Sequence, residues 1–337
     1  MSQINWGIIG CGDVAEVKSG PAFQLVENST LISVMRRDGT KAKDFAKRHQ
    51  VPQWTDNADE IIEHKNINAV YIATPPSTHS KYALKALAAG KHVYLEKPMA
   101  LDAIQAQQIC DAVDKSKAKL TVAHYRRELP AFLKIREFLK NSAIGSITHA
   151  DIQILQPRNS DIIATTEENW RLNPEVSGGG YFYDIAPHQI DLMYLYFGKI
   201  KNAHGYANSS IKNPLVENIV NGIINFKNGI QFRGLWNFNA STLNKKEVCT
   251  IYGTDGKIEF SFFGDTVRLE NKNGLEVFSF MNPKHIQQPM IAATVDYFLG
   301  NTKNPCSAEE GLLVMNTLEK LSGRKSRYAS PSTMLTS

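Results

Sequence analysis

Trp6-Gly7-Ile8-Ile9-Gly10-Cys11-Gly12-Asp13-Val14-Ala15 is the stretch that decides the fold. A short apolar run reads as a strand, enters a Gly-x-Gly-x-x-Ala turn, and leaves it as the start of a helix. Each small residue has a mechanical reason: Gly10 allows the tight turn, Gly12 lets a pyrophosphate approach the backbone, and Ala15 lets helix and strand pack closely. The amides of Asp13, Val14 and Ala15 then stand at a helix N-terminus, where free N–H groups and the helix dipole favour phosphate. Three small residues can also form an ordinary tight turn. The position directly between strand and helix favours the dinucleotide reading.

From Asn5 to about Ala123, short apolar runs alternate with longer amphipathic ones. Strands are predicted at 5–9, 30–35, 69–73, 92–95 and 119–123, with a weaker one near 52–54, and helices at 41–49, 59–64, 80–89 and 103–115. This alternation implies an α/β, doubly wound parallel sheet of the Rossmann type. A chain of 337 residues suits two domains. The expected division is a dinucleotide-binding domain over 1–123, an α+β substrate-binding and oligomerisation domain over 124–325, and a tail over 326–337.

The net charge is +5, and Lys and Arg are scattered without runs, which argues against a nucleic-acid or membrane surface but leaves a small anionic ligand open. The four cysteines are far apart and show no paired spacing for zinc or disulfides. No apolar run approaches the roughly 20 residues that span a bilayer, and no leader pattern precedes the first strand. A soluble, cytoplasmic protein is expected.

The second strand runs into Arg36-Arg37-Asp38. An acidic residue at this corner accepts from ribose hydroxyls, whereas a cation pairs with a 2′-phosphate. The two arginines favour NADP, since guanidinium matches phosphate in a bidentate fork. NAD stays open if Asp38 turns inward or the arginines are merely solvated. After the fourth strand, Thr74-Pro75-Pro76-Ser77-Thr78-His79 forms a rigid turn at the edge where ligands bind; Ser77 or Thr78 can cap the next helix. After the fifth, Val93-Tyr94-Leu95 runs into Glu96-Lys97-Pro98. These charges read either as a surface salt-bridging turn or as groups held for chemistry.

In the second half, the polar stretch 156–177 carries Trp170-Arg171 and ends in Gly178-Gly179-Gly180, which suggests a flap over a ligand. An anchoring tryptophan beside a surface arginine is the plainer alternative. Asp184 and His188 follow, four apart and on one face if helical, with Pro187 tolerable only if the helix is just beginning. Spacing alone fits a satisfied structural pair equally well. The two could be metal ligands one turn apart, but no third ligand is evident, and no metal is expected.

Segments at 201–210, 217–226, 230–238, 248–252, 257–262, 266–270 and 275–280 are short and β-rich, with turns at Lys227-Asn228-Gly229, Thr254-Asp255-Gly256 and Lys272-Asn273-Gly274. They read as an antiparallel meander. The helices predicted from 131 and 188 would cover one face, and a second subunit would cover the other if it is apolar. Further helical patterns lie at 289–299 and 308–321.

Gly10-x-Gly12-x-x-Ala15, Thr74-Pro75-Pro76 with His79, and Glu96-Lys97-Pro98, in this order, resemble the Gfo/Idh/MocA oxidoreductases. The stretch from Gly178 through Asp184, His188 and Asp191 continues the likeness. The resemblance implies a large open, mostly antiparallel C-terminal sheet, a homodimer or homotetramer formed through it, and an NADP or NAD cofactor. It implies that Lys97, His188 and Asp184 are catalytic, and that Thr74, Pro75, His79, Glu96, Arg126, Trp170 and Arg171 lie near the cofactor, with Arg127 and Asp191 structural. The expected activity is hydride transfer between nicotinamide and a sugar, polyol or related hydroxy or keto compound. In that scheme His188 is the base, its pKa near neutral, and Lys97 stabilises alkoxide character with Glu96 orienting it. Asp184 holds substrate or imidazole. An NAD-dependent glycoside hydrolase of the same fold, or a non-catalytic nucleotide- or sugar-binding regulator, is the alternative.

Overall fold

β1 (Ile4–Ile9), β2 (Ser29–Met35), β3 (Gln53–Thr55), β4 (Ala69–Ile72), β5 (His92–Leu95) and β6 (Leu120–Val122) make one sheet in the order β3-β2-β1-β4-β5-β6, every pair parallel. The coordinates are a computed structural model and describe residues 2–163, 169–210 and 213–324. The expected tail 326–337 and part of the 156–177 stretch lie outside the described residues.

β4 is buried at all of its residues, because crossover helices cover both faces of such a sheet and leave no side of the strand wet. Those helices are α1 (Gly39–Arg48), α2 (Ala58–Glu63), α3 (His79–Ala88) and α4 (Ala103–Lys115). Asp38 caps α1, its carboxylate accepting from the amides of Thr40 and Lys41 at 3.0 and 3.2 Å. The strand order reverses between β1 and β4, so the crevice where such folds bind ligands lies beyond Ile9 and Ile72.

The segment after the glycine turn departs from the expected α-helix. It passes through a π-helical turn at Ala15–Ser19 and a 3-10 turn at Gly20–Gln24. Pro21 supplies no N–H for a continued α ladder, which accounts for the break.

The second half opens with α5 (Pro130–Lys140) and β7 (Ile147–Leu155), then α6 (Pro174–Ser177) and α7 (Gly180–Phe197). β8 (Ile200–Ser210), β9 (Asn213–Phe226), β10 (Gln231–Asn237), β11 (Lys246–Gly253), β12 (Gly256–Phe260), β13 (Thr266–Asn271) and β14 (Gly274–Ser279) follow. α8 (Gln288–Leu299) and α9 (Ala308–Ser322) end the described chain. The seven late strands match the predicted segments closely, but the sheet is not a simple meander. Its order is β14-β13-β12-β11-β7-β10-β9-β8, with β7 inserted between β11 and β10 and running parallel to β10.

α5, α7 and α9 cover the inner face of this sheet. Trp236 of β10 is fully buried there and donates its indole N–H to Gln189 of α7 at 3.1 Å. α8 packs instead on β1, setting Phe298 5.7 Å from Trp6. The second half of the chain therefore returns to cover the first sheet.

Candidate functional site

The glycine turn is held against the end of β2. The amides of Gly10 and Cys11 both donate to Met35 O, at 2.9 and 3.0 Å, which sets Arg36 beside the turn. Gly10 has φ +99°, and a Cβ there would come within 2.9 Å of Thr74, so the first turn and the Thr74-Pro75 turn pack on one another. At Gly12 a Cβ would meet nothing within 4 Å, leaving open space above the backbone where a phosphate can approach. Asp13 is exposed, Val14 half-buried and Ala15 buried. These features fit a dinucleotide: an open glycine, a sheet edge and neighbouring cations.

Arg36 is half-buried and Arg37 exposed. Asp38 is committed to the α1 cap, as an aspartate opening a helix tends to be.

Thr74 and Pro75 are half-buried. The expected cap by Ser77 or Thr78 does not form: the Thr78 hydroxyl turns back and donates to Thr74 Oγ1 at 2.7 Å. His79 is buried, its ring nitrogens 2.9 Å from Pro98 O and 2.7 Å from Thr74 O. It is therefore a strut between two turns rather than an exposed ligand group. Burial pushes its pKa down, although both carbonyls favour the protonated ring.

Lys97 crosses to the second half of the chain. Its ammonium donates to Asp184 Oδ1 and to the Asp184 carbonyl, both at 2.7 Å. Asp184 Oδ2 accepts from Arg171 Nε at 2.8 Å, and the Arg171 guanidinium lies over the Trp170 ring, 4.4 Å from its centre. Arg171 is buried and not a surface arginine. Burial alone would raise the Asp184 carboxyl, but Lys97 and Arg171 hold it well below the usual carboxylate range. Both Asp184 oxygens are engaged by cations, and no hydrogen bond joins Asp184 to the His188 ring among the described residues.

His188 stands one turn beyond Asp184 on α7 and is buried. Its Nδ1 has no partner among the described residues. The ring makes T-shaped contacts with Tyr125 at 5.3 Å and with Phe263 at 6.5 Å. Burial, then the charges of Lys97 and Arg126, push its pKa well below the ordinary value, so the expectation of a near-neutral titration is corrected: the ring is neutral at pH 7. Pro187 is inside α7, not at its start, because the helix already begins at Gly180. Two glycines of the run, Gly178 at φ +89° and Gly180 at φ +71°, supply the left-handed backbone that swings the chain from α6 into α7.

Arg126 is buried against Phe263, 4.4 Å from the ring centre, and donates to Phe262 O. Arg127 pairs with Asp191 through Nε and Nη2 at 2.6 to 3.1 Å, and both are buried. The pair joins the turn before α5 to α7. His124, Asp191 and Cys306 form the only cluster of potential metal ligands found among the described residues, and Arg127 already occupies Asp191.

Glu96 departs from expectation. Its carboxylate does not reach the Lys97 ammonium; it accepts from Tyr71 and Gln287 at 2.6 Å each and from the Lys97 backbone N–H at 3.2 Å. Gln287 and Tyr71 were not singled out from the sequence. A glutamine before a helix carries no pattern, and Tyr71 reads as one more strand residue.

A model described as "Oxidoreductase family, NAD-binding Rossmann fold" matches residues 4–124, and one for the GFO/IDH/MocA C-terminal domain matches residues 132–259. The chain belongs to the Gfo/Idh/MocA oxidoreductase family. Oxidoreductase P35 of Formosa agariphila is 55% identical over 323 residues, covering 96% of this chain and 99% of that one. Levoglucosan dehydrogenase of Pseudarthrobacter phenanthrenivorans is 28% identical, covering 78% of this chain and 74% of its own. A solved levoglucosan dehydrogenase, in complex with NADH and levoglucosan, superposes with a TM-score of 0.82 at 23% identity, covering 95% of this chain and 96% of that one. That solved dehydrogenase shares the fold of this chain, and among the described residues no helix is long and apolar enough to cross a membrane.

Proposed function

We propose that this Gfo/Idh/MocA oxidoreductase is a nicotinamide-dependent dehydrogenase or reductase of a sugar, polyol or related hydroxy or keto compound. The observation that carries the reading is the meeting of Lys97 with Asp184, 87 positions apart, one helical turn from His188. The similarity to levoglucosan dehydrogenase supports the sugar class.

Gly10, Gly12, Asp13, Val14 and Ala15 would hold the pyrophosphate, Arg36 and Arg37 the adenosine end, and Thr74, Pro75, Arg126, Trp170 and Arg171 the remainder. NADP is favoured because the second strand runs into Arg36 and Arg37, while Asp38 is anchored through Oδ1 at a helix cap. Bound nicotinamide supplies hydride acceptance and donation. The protein's own groups manage the proton. An ammonium has three donors; Asp184 uses two of those on Lys97, and the third is available to the substrate oxygen. That donor stabilises alkoxide character in a site largely closed to water. His188, neutral in its buried setting, accepts the hydroxyl proton during oxidation. Asp184 and Arg171 fix Lys97 rather than touch the imidazole.

The outer face of the second sheet supports a homodimer or homotetramer. Tyr206, Asn221 and Leu235 lie side by side across β8, β9 and β10, with Tyr206 86% and Ile223 46% exposed. Asp151 and Arg233 pair on the same face, so it is mixed rather than apolar. Light scattering reports the assembly.

The deciding experiment titrates NADPH and NADH and then screens sugars, polyols and their keto forms with the tighter nucleotide. Absorbance change at the nicotinamide band supports redox turnover. Sugar release without it would transfer the chain to glycoside cleavage.

A further inference from the structure

Gln287 is fully buried immediately before α8, and the proposed reaction makes no use of it. Its side-chain N–H donates to Glu96 Oε1 at 2.6 Å, while its carbonyl accepts from the Tyr94 hydroxyl at 3.0 Å. Its backbone N–H donates to Lys18 O at 3.1 Å, in the turn that follows the glycine loop. Glu96 Oε1 also takes the Tyr71 hydroxyl at 2.6 Å, and Ser19 of that same turn donates to the Tyr71 oxygen at 3.0 Å. The other carboxylate oxygen receives the backbone N–H of Lys97.

Ser19, Tyr71, Tyr94 and Gln287 are all without solvent exposure, and Glu96 has 6%. In such surroundings a carboxylate that loses a donor is strongly penalised, so the network behaves as a unit. Its geometry ties three things together: the turn after the glycine loop, the carboxylate of Glu96, and the peptide from which the Lys97 ammonium reaches Asp184.

We propose that Gln287 is a positioning residue for Lys97, pinning Glu96 and with it the Lys97 peptide to the turn beneath the nucleotide. The inference rests on the reading of Lys97 as the group that touches the reacting oxygen. A neutral amide suits the place because it donates to a carboxylate and accepts from a phenol at once. Glutamate is its isostere but can donate only when protonated. In Gln287→Glu two carboxyl groups would face each other at hydrogen-bond distance and share one proton. Tyr71 and Tyr94, the other titratable groups facing this position, are pushed well above their ordinary range by burial and by Glu96, and do not compete for that proton. Beyond Glu96, Lys97 carries a charge beside the same turn, and His79, whose pKa burial pushes down, does not.

The test compares full-length wild type with Gln287→Glu in three measurements across about pH 6 to 9. Nucleotide affinity is read by NADPH fluorescence, Lys97 accessibility by amine-reactive labelling and peptide mass spectrometry, and turnover with a verified substrate. The expected result is wild-type behaviour at the acid end, where the protonated glutamate restores the amide's hydrogen bond. As the shared proton leaves, Lys97 labelling rises and kcat falls on the order of 10- to 100-fold, the scale of a displaced catalytic group. The wild type shows no such limb, and nucleotide affinity holds throughout. Labelling and kcat that follow the wild type at every pH overturn the proposal, as does a uniform loss of stability without a pH-dependent limb. A labelling shift with unchanged turnover overturns the catalytic reading of Lys97 instead. Should Gln287→Glu not fold, Tyr71→Phe removes one donor from Glu96. It is expected to raise Lys97 labelling at constant nucleotide affinity, and wild-type labelling there counts against the pin.

Discussion

Lys97 and Asp184 are joined twice, ammonium to carboxylate and ammonium to backbone carbonyl, both at 2.7 Å. The double contact fixes the direction of the side chain and leaves a single donor for substrate. Lys97→Met is expected to bind nucleotide as before and to lose turnover by about 10²–10³-fold, the usual consequence of removing one such donor. Fluorescence titration and steady-state rates on the same preparation check it. Wild-type turnover in the variant would take Lys97 out of the reaction.

Asp184 also neutralises Arg171, so it stands between two cations with only 18% of its side chain exposed. Asp184→Asn keeps the size and the backbone carbonyl but removes the charge both cations face. Breaking a buried pair in this way costs about 3–5 kcal/mol. A fall in Tm accompanied by loss of turnover is expected. Lys97→Met, which takes out only one of the two cations, should lower Tm less. An unchanged Tm for Asp184→Asn would show that Lys97 and Arg171 find another anion.

Much of this site was readable before any coordinates. The glycine turn, the Glu96-Lys97-Pro98 triplet and the Asp184–His188 spacing each carry a local pattern, and the alternation of strands and helices implies a doubly wound parallel sheet. What could not be read was long-range partnership. Glu96 looked like the natural partner of Lys97 because they are neighbours, yet adjacent side chains at the end of a strand point apart, and Glu96 turned inward to Tyr71 and Gln287. Arg171 looked equally fit for solvent. The insertion of β7 beside β10 depends on which edges meet in space, and strand propensity is blind to that.

His92 and His124 are held neutral by burial, each with its pKa lowered to about 4, and His79 and His188 shift in the same direction. Unfolded histidines titrate near 6.5, so between these values the unfolded chain binds protons that the folded chain refuses. Stability therefore rises with pH up to about 6.5 and is lost progressively as pH falls toward 4. Calorimetry should show Tm falling by about 5 °C or more between roughly pH 7.5 and pH 5. His124→Gln removes one of these groups and should flatten the dependence. A Tm independent of pH over that range would mean that the buried rings find proton acceptors in the folded protein.

The choice of nucleotide turns on the end of β2. Asp38 lends one carboxylate oxygen, Oδ1, to the amides of Thr40 and Lys41, which anchors it at the α1 cap beside Arg36 and Arg37. A guanidinium there gains from a 2′-phosphate and nothing comparable from a 2′-hydroxyl. The double variant Arg36→Ala/Arg37→Ala should weaken NADPH by about 10- to 100-fold, as loss of hydrogen bonds to a charged group does, while leaving NADH nearly unchanged. Raising salt should weaken NADPH binding to the wild type more than NADH, because an exposed charge pair is screened. Tighter binding of NADH than NADPH by the wild type would remove the two arginines from the phosphate. Replacing Asp38 by Ser, which keeps a helix cap but no charge, would then show whether Asp38 had been holding the ribose.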